Sequence, residues 1–544
     1  MMKPHFLNKK NFEDLDLNFI FERLQLASPY GEVAKRAIKP TRSENKSELI
    51  KTYDQLGAMI DLFERLRSDV LELKTILKEV KQLDTTFDRI VENETLSVTE
   101  LFEVKQLAMV MQRILEKQST LHWDRIAKEF LLKDVSEIIK LLDPEQSGVS
   151  TFYIYSSYSL KLHDIRNQIE GIDKISKQLL KETIEQLKAE DFPVLPNGEL
   201  RVPIRDQELM MRVKSDNRFV YRSDIPMYSL FMIKGDNSLK SKKDRLLLEE
   251  EEEEFEIRNR LTETLKDDLS TLVSNTLSIG QMDLLIAKAQ FSVAFNCVRP
   301  EILEEPLVEI EEGRHLKVAY SLERSGKKFT PINVSLKKPT TLITGANMGG
   351  KTVSLKLIGQ VVAMAHYGFF VPCQSARLPI FDFIFISVGD FQSIDMGLST
   401  FGGEIVEIEQ AISRHDEFGL ILIDELARGT NPLEGFAISK ALIEYLTSRS
   451  SRAVITTHFD GLTNVPGTSH YQVNGLSGLD LDTIRDKITT EGAALLHEYM
   501  DYRLTQVSSF KEIPKEALRI SELMGLDMHI INRAKEILGG SHDE

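Results

Sequence analysis

The sequence predicts an α/β domain with a mainly parallel sheet, preceded by an all-α core that carries a long coiled-coil lever arm. Three observations lead there. From a Gly-rich turn at residue 345 onward, strand-like runs alternate with helical ones, the pattern of a parallel sheet with crossover helices. Through most of the first 300 residues, apolar side chains recur every three or four positions. Two helix-length segments, 156–190 and about 243–277, flank a stretch broken by Pro193, Pro196-Asn-Gly198 and Pro203, as the two limbs of an antiparallel arm would.

The chain has 544 residues, enough for about three to four domains. Hydrophobic content of 42% and charged content of 28% are those of a globular, soluble protein. No apolar run reaches the roughly 18 residues of a membrane span, and Met-Met-Lys-Pro-His does not open a secretory signal. Cys297 and Cys373 sit in apolar contexts without metal-ligand spacing, so packed free thiols in a reducing cytoplasm are expected. The net charge of −16 argues against strong non-specific affinity for DNA.

Residues 1–125 read as a helical core. In Glu48–Arg67, Leu49, Ile50, Leu56, Met59, Ile60, Leu62 and Phe63 mark one buried face, and Leu101–Leu115 repeats the pattern. Trp123 is expected in the core. Residues 126–300 read as the arm. Ile165, Ile169, Ile172, Ile175 and Leu179 form one stripe, continued by Leu180, Ile184 and Leu187, and Leu261, Leu265, Leu269 and Leu272 form another; limbs of this length give an arm roughly 50 Å long. Between them Leu200-Arg-Val-Pro-Ile and Leu209-Met-Met-Arg-Val read as short strands. This tip, 201–245, holds eleven Lys/Arg against six Asp/Glu. It could touch a phosphate backbone or be an exposed charged hairpin with no ligand; the residues leave both open. The run Glu249–Glu254 reads as a solvated helix face. Beyond Pro300, Leu316-Lys-Val-Ala-Tyr and Ile332-Asn-Val-Ser-Leu read as β-type runs leading into the α/β domain, 301–505. A helical segment, 506–544, follows.

Chemistry concentrates in three places. Thr341-Leu-Ile-Thr-Gly345-Ala346-Asn347-Met348-Gly349-Gly350-Lys351-Thr352 is a strand, a Gly-rich turn and a helix start, the phosphate-loop pattern G-x-x-x-x-G-K-[ST]. Its glycines let backbone N–H groups close on phosphate oxygens, Lys351 reaches the β- and γ-phosphates, and Thr352 offers a hydroxyl to Mg²⁺. Leu420-Ile-Leu-Ile-Asp424-Glu425 is an apolar strand ending in two carboxylates, one to hold Mg²⁺ and one to direct the attacking water. Ala453-Val-Ile-Thr-Thr457 delivers His458, positioned to sense the γ-phosphate. Gln392 and the stretch 398–404 lie between the two nucleotide motifs, and Ser399 with the glycines before a helix over 404–414 forms a second candidate anion site, one that could serve the nucleotide of another subunit.

These stretches resemble the MutS family. The resemblance rests on Thr344-Gly-Ala-Asn-Met-Gly-Gly-Lys-Thr, Ser399-Thr-Phe-x-x-Glu, Leu422-Ile-Asp-Glu-Leu-Ala-Arg-Gly-Thr430 and Thr456-Thr-His-Phe, and it extends through Val298-Arg-Pro-Glu-Ile to Ile530–Leu538. It implies an ABC-like ATPase whose sites are shared across a dimer, homomeric or with a paralogue. Asn347, Gly350, Lys351 and Thr352 would bind phosphates and Mg²⁺. Asp424 would be the second magnesium-shell residue, Glu425 the catalytic carboxylate and His458 the switch histidine. Ser399 would contact the partner's γ-phosphate, and Gln392 resembles a linker-loop glutamine. Residues 506–544 would be the helical dimerisation segment.

The departures shape the expectation too. No Phe-x-Glu wedge occurs in residues 1–40, and the chain stops at Glu544 without a Smr-type segment. Gly389-Asp-Phe-Gln-Ser-Ile resembles the branch linked to recombination control and ribosome rescue. The first expectation is therefore a dimeric, ATP-hydrolysing protein that grips mismatched or branched DNA in an ATP-gated way. The second is an ATP-dependent reactivating chaperone of a cobalamin-dependent aminomutase, whose partner would be a protein client.

Overall fold

A computed structural model describes residues 5–148, 151–345, 349–388, 400–427, 430–459, 461–475, 501–507, 518, 521–522 and 525–540. The chain divides into two compact units. One holds residues 1–78, 119–130 and 279–544, the other 79–118 and 131–278. The all-α region and the α/β sheet expected from the sequence are both present.

In the second unit the helix Leu160–Ala189 runs antiparallel to residues 237–278, the part of the helix Asn237–Ala294 that this unit holds. Arg166 bonds Glu250 at 2.7 Å and Glu254 at 2.6 Å, while Asp173, about two turns further along, takes Lys243 at 2.5 Å. The opposed order of these partners fixes the direction. Ile165 and Ile172 pack on Leu246, with Ile169 and Leu239 at the margin. Ile175 and Leu179 are exposed, so the periodic stripe is interrupted before it is buried again at Ile184 and Leu187. The glutamate run is not simply solvated either. Glu250 and Glu254 form a fork around the Arg166 guanidinium and Glu253 accepts from the Ser159 hydroxyl at 2.7 Å, so the charged rows seal the helix pair.

The tip is a three-stranded antiparallel sheet, with Tyr228–Ile233 between Glu199–Pro203 and Phe219–Ile225. Leu209-Met-Met-Arg-Val is not a strand. It lies within the helix Gln207–Ser215, whose start is capped by Asp206 accepting from Leu209 N at 2.9 Å. Leu200, Val202, Val213 and Phe231 close a small core with Ile184 and Leu187 of the preceding helix.

The first unit contains a six-stranded sheet in the order 501–506, 468–475, 340–344, 452–456, 419–424, 383–387. The last five are parallel, and Asp501–Gln506 pairs antiparallel at the edge. A second sheet joins Glu301–Leu303, Ser375–Pro379, Val308–Gly313 and Ile332–Leu336. Leu316-Lys-Val-Ala-Tyr, expected as a β-type run, is instead the start of the helix Leu316–Arg324. Residues near the N-terminus belong to this core. Leu15 lies against Gly359 of the helix Lys351–His366, where an added Cβ would come within 2.4 Å of it. Trp123 is fully buried, as expected. Cys373 is buried, Cys297 half-buried, and both are free thiols.

The C-terminal end of the helix Lys351–His366 is tied down by three donors. Tyr53 Oη donates to Ala365 O at 2.7 Å, Thr41 N to His366 O at 2.7 Å, and Lys288 Nζ to Tyr367 O at 2.9 Å. Burial pushes the Lys288 ammonium down to about 7. Above that pH the unfolded chain binds this proton and the folded chain does not, so Lys288 makes stability rise with pH. The unfolding free energy of the wild type should therefore gain on that of Lys288→Met between pH 6.5 and 8.5, by up to about 1.4 kcal/mol per pH unit. A difference that does not change with pH would show that the amine keeps an ordinary proton affinity.

Candidate functional site

The site forms where the strands Thr340–Thr344, Gly419–Asp424 and Arg452–Thr456 end together. In a parallel sheet, the C-terminal ends of the strands are where ligands bind. All three strands are buried along their whole length, which fixes their ends firmly. The turn after the first strand needs glycine. Gly345 has φ +134° and Gly350, at the cap of the following helix, φ +91°. A Cβ on Gly350 would also press to 3.1 Å of the Tyr502 ring.

Lys351 opens the helix and is buried. Its Nζ donates to Gly345 O at 2.8 Å and lies 2.9 Å from Glu425 Oε1. Thr352 Oγ1 donates to Asp424 Oδ2 at 2.7 Å. The structure thus brings together Lys351, Thr352, Asp424 and Glu425, residues more than 70 positions apart. Gly349 and Gly350 border them. Thr352 and Asp424 turn oxygens toward each other, the donor chemistry that Mg²⁺ prefers. No group of three or more His, Cys, Asp and Glu with metal-ligand geometry occurs among the described residues.

The chain leaves the strand at Asp424 by a left-handed turn. Glu425 has φ +54° and Ala427 φ +65°, positions that non-glycine residues take at a cost of about 1 kcal/mol or more. Glu425 N donates to Thr456 Oγ1 at 2.9 Å and to Thr456 O at 3.2 Å. Ala427 N donates to the buried Glu404 carboxylate at 3.3 Å, on the helix Thr400–Ile412. His458 follows the end of its strand and is exposed, its ring 4.5 Å from that of Phe459. Ala346, Asn347, Met348, Gln392 and Ser399 lie outside the described residues.

Sequence reasoning missed what borders the turn. A cavity of about 750 Å³ opens beside Gly350 and Val353, walled by Val318, Leu322, Phe329 and Tyr502. Phe329 precedes a strand and Tyr502 lies on the edge strand, 173 positions further on. No motif links them. Only a pairing of the edge strand with 468–475 could have brought Tyr502 to the turn.

Residues 341–540 match the family model described as MutS domain V. Curated relatives extend the likeness upstream. A protein of Clostridium tetani is 30% identical over 422 residues, covering 74% of this chain and 50% of the relative. One of Acetivibrio thermocellus is 28% identical over 429 residues, covering 74% and 50%. One of Symbiobacterium thermophilum is 32% identical over 296 residues, covering 54% and 34%. All three are named Endonuclease MutS2. The chain thus spans half the length of these relatives or less. Because the matched segment contains the whole Lys351, Asp424 and Glu425 arrangement, and the likeness runs on into the helical region, the chain belongs to the MutS family.

Proposed function

We propose that the chain is a dimeric ATPase that couples ATP turnover to the gripping of branched or mismatched DNA. The observation that carries the ATPase half is the convergence of Lys351, Thr352, Asp424 and Glu425 at the ends of adjacent parallel strands. In this reading Gly345–Thr352, with Ala346, Asn347 and Met348, cradles the phosphates through backbone N–H groups. Lys351 binds the β- and γ-phosphates. Thr352 and Asp424 hold Mg²⁺, which when bound neutralises phosphate charge. Glu425 takes a proton from water as its oxygen bonds the γ-phosphorus; the bond to the bridging oxygen breaks, and ADP and phosphate leave. His458 senses the γ-phosphate, Ser399 completes the partner's site, and Gln392 acts as the linker-loop glutamine. The base lies in the cavity walled by Phe329 and Tyr502, which offer ring faces next to Gly350. Residues 301–505 act as the ATPase domain and 506–544 as the dimerisation segment.

Support for the nucleic-acid half comes from the tip of the arm (126–300). Several of its basic groups are spent internally. Arg218 is held by Asp216 and Glu190, Arg212 donates to Glu190 O at 2.8 Å and Lys243 binds Asp173. Arg205, Lys214, Arg222 and Lys242 are exposed and have no side-chain partner among the described residues. They are among the tip's exposed cations that remain to meet phosphates.

The test is the steady-state ATPase rate with four-way-junction, mismatched and plain duplex DNA at about 150 mM salt, where weak electrostatic binding is suppressed. Junction DNA is expected to raise the rate over duplex. Reversing Arg205, Lys214, Arg222 and Lys242 to Glu should remove that stimulation, lower the slope of log affinity against log salt by about 3 to 4, and spare the basal rate. A rate indifferent to every DNA would overturn the nucleic-acid half and point to a protein client.

A further inference from the structure

We infer that Thr456 is a positioning residue: its hydroxyl sets the metal-binding carboxylate of Asp424 and the backbone of Glu425 in one fixed relation. Thr456 ends the strand between the phosphate-loop strand and the carboxylate strand, and it is the register partner of Asp424. It is fully buried. Its hydroxyl donates to Asp424 Oδ1 at 2.7 Å and accepts from Glu425 N at 2.9 Å. Asp424 Oδ2 takes the Thr352 hydroxyl at 2.7 Å, so each oxygen of that carboxylate is held by a threonine.

Buried threonine hydroxyls are not all used in this way in this sheet. Thr340 and Thr341, at the other end of the neighbouring strand, bury hydroxyls that have no hydrogen-bond partner among the described residues. Thr456 uses its donor and a lone pair, and both go to the residues that carry the chemistry. The consequence is geometric. Asp424 cannot rotate about its Cα–Cβ bond without losing a bond to one of the two threonines. The left-handed turn at Glu425 is held by the hydroxyl and the carbonyl of the same residue.

This rests on the ATPase reading above. Thr456→Val keeps the shape and removes the hydroxyl, whereas Thr456→Ser keeps the hydroxyl. In the full chain, Thr456→Val is expected to lower kcat roughly 10- to 100-fold and to raise the Mg²⁺ concentration that half-saturates fluorescent-ADP binding by roughly tenfold. ADP affinity at saturating Mg²⁺ should stay within about twofold, because Lys351 and the phosphate loop are untouched. Thr456→Ser should recover both readouts. If Thr456→Val matches wild type in both, or Thr456→Ser is as impaired as Thr456→Val, the inference is overturned. If wild type binds ADP but hydrolyses no ATP, the ATPase reading falls by itself. The Mg²⁺ half-saturation still decides on Thr456, and an unchanged value in Thr456→Val overturns its role.

Discussion

Glu425→Gln is expected to bind ATP as wild type does and to hydrolyse it at least about 100-fold more slowly. Glutamine has the shape of glutamate, and its amide oxygen can still accept from Lys351 Nζ, now 2.9 Å from Glu425 Oε1. The backbone bonds from Glu425 N to Thr456 do not involve the side chain, so the left-handed turn persists. What is lost is a proton acceptor, and only the transition state requires it. The change therefore falls on kcat and not on binding. Single-turnover hydrolysis alongside a nucleotide titration measures the two separately. Turnover within about threefold of wild type would refute Glu425 as the base, since general-base catalysis normally supplies 10²–10⁴-fold. The same variant tests the dimer. With ATP held but not cleaved, light scattering should report twice the monomer mass, and a monomer would count against a site shared between subunits.

The nucleotide motifs were legible because phosphate binding constrains neighbours in the chain. A turn that must bring N–H groups, a lysine and a hydroxyl onto one ligand has to keep them adjacent, so Gly345–Thr352 is readable without a structure. Asp424-Glu425 was readable for a similar reason, as an abrupt charge at the end of a buried strand. Where only periodicity was available, five residues could not separate a period of two from one of 3.6. Leu209, Met211 and Val213 alternate as in a strand, but Met211 is 70% exposed and the buried side is Val213 with Leu209 and Met210, four and three positions before it. The cap Asp206 carried the missing signal. Leu316–Tyr320 was misread in the same way, with Leu316 buried and His315 at the cap. Thr456 and Tyr502 were illegible for a different reason. Their importance comes from which strands are neighbours, and strand order is a property of the whole sheet.

Lys351→Met should weaken ATP binding by at least about 30-fold, the loss of one or two charge-assisted hydrogen bonds to phosphate in a sheltered site. Methionine keeps most of the apolar stem, so the helix Lys351–His366 and the Leu15 contact beneath it should be preserved. The substitution has a second effect, independent of nucleotide. Lys351 and Glu425 are both nearly buried, with side chains only 4% and 10% exposed. Removing the ammonium takes away a cation that lies 2.9 Å from a carboxylate with little access to water, which costs about 2 kcal/mol or more of folding stability. Adding Glu425→Gln to Lys351→Met should return most of that stability, because a neutral amide needs no counter-charge. It should return none of the ATP affinity, because the phosphates still lack Lys351. Melting midpoints and nucleotide titrations of the two single variants and the double variant make up the cycle. Additive melting effects would mean that the 2.9 Å pair carries no coupling, and Glu425 would then be free to orient on water whether or not Lys351 is engaged with phosphate. Strong coupling would mean the opposite: Lys351 must exchange Glu425 for phosphate as ATP enters, so the binding step itself releases the base to face the water.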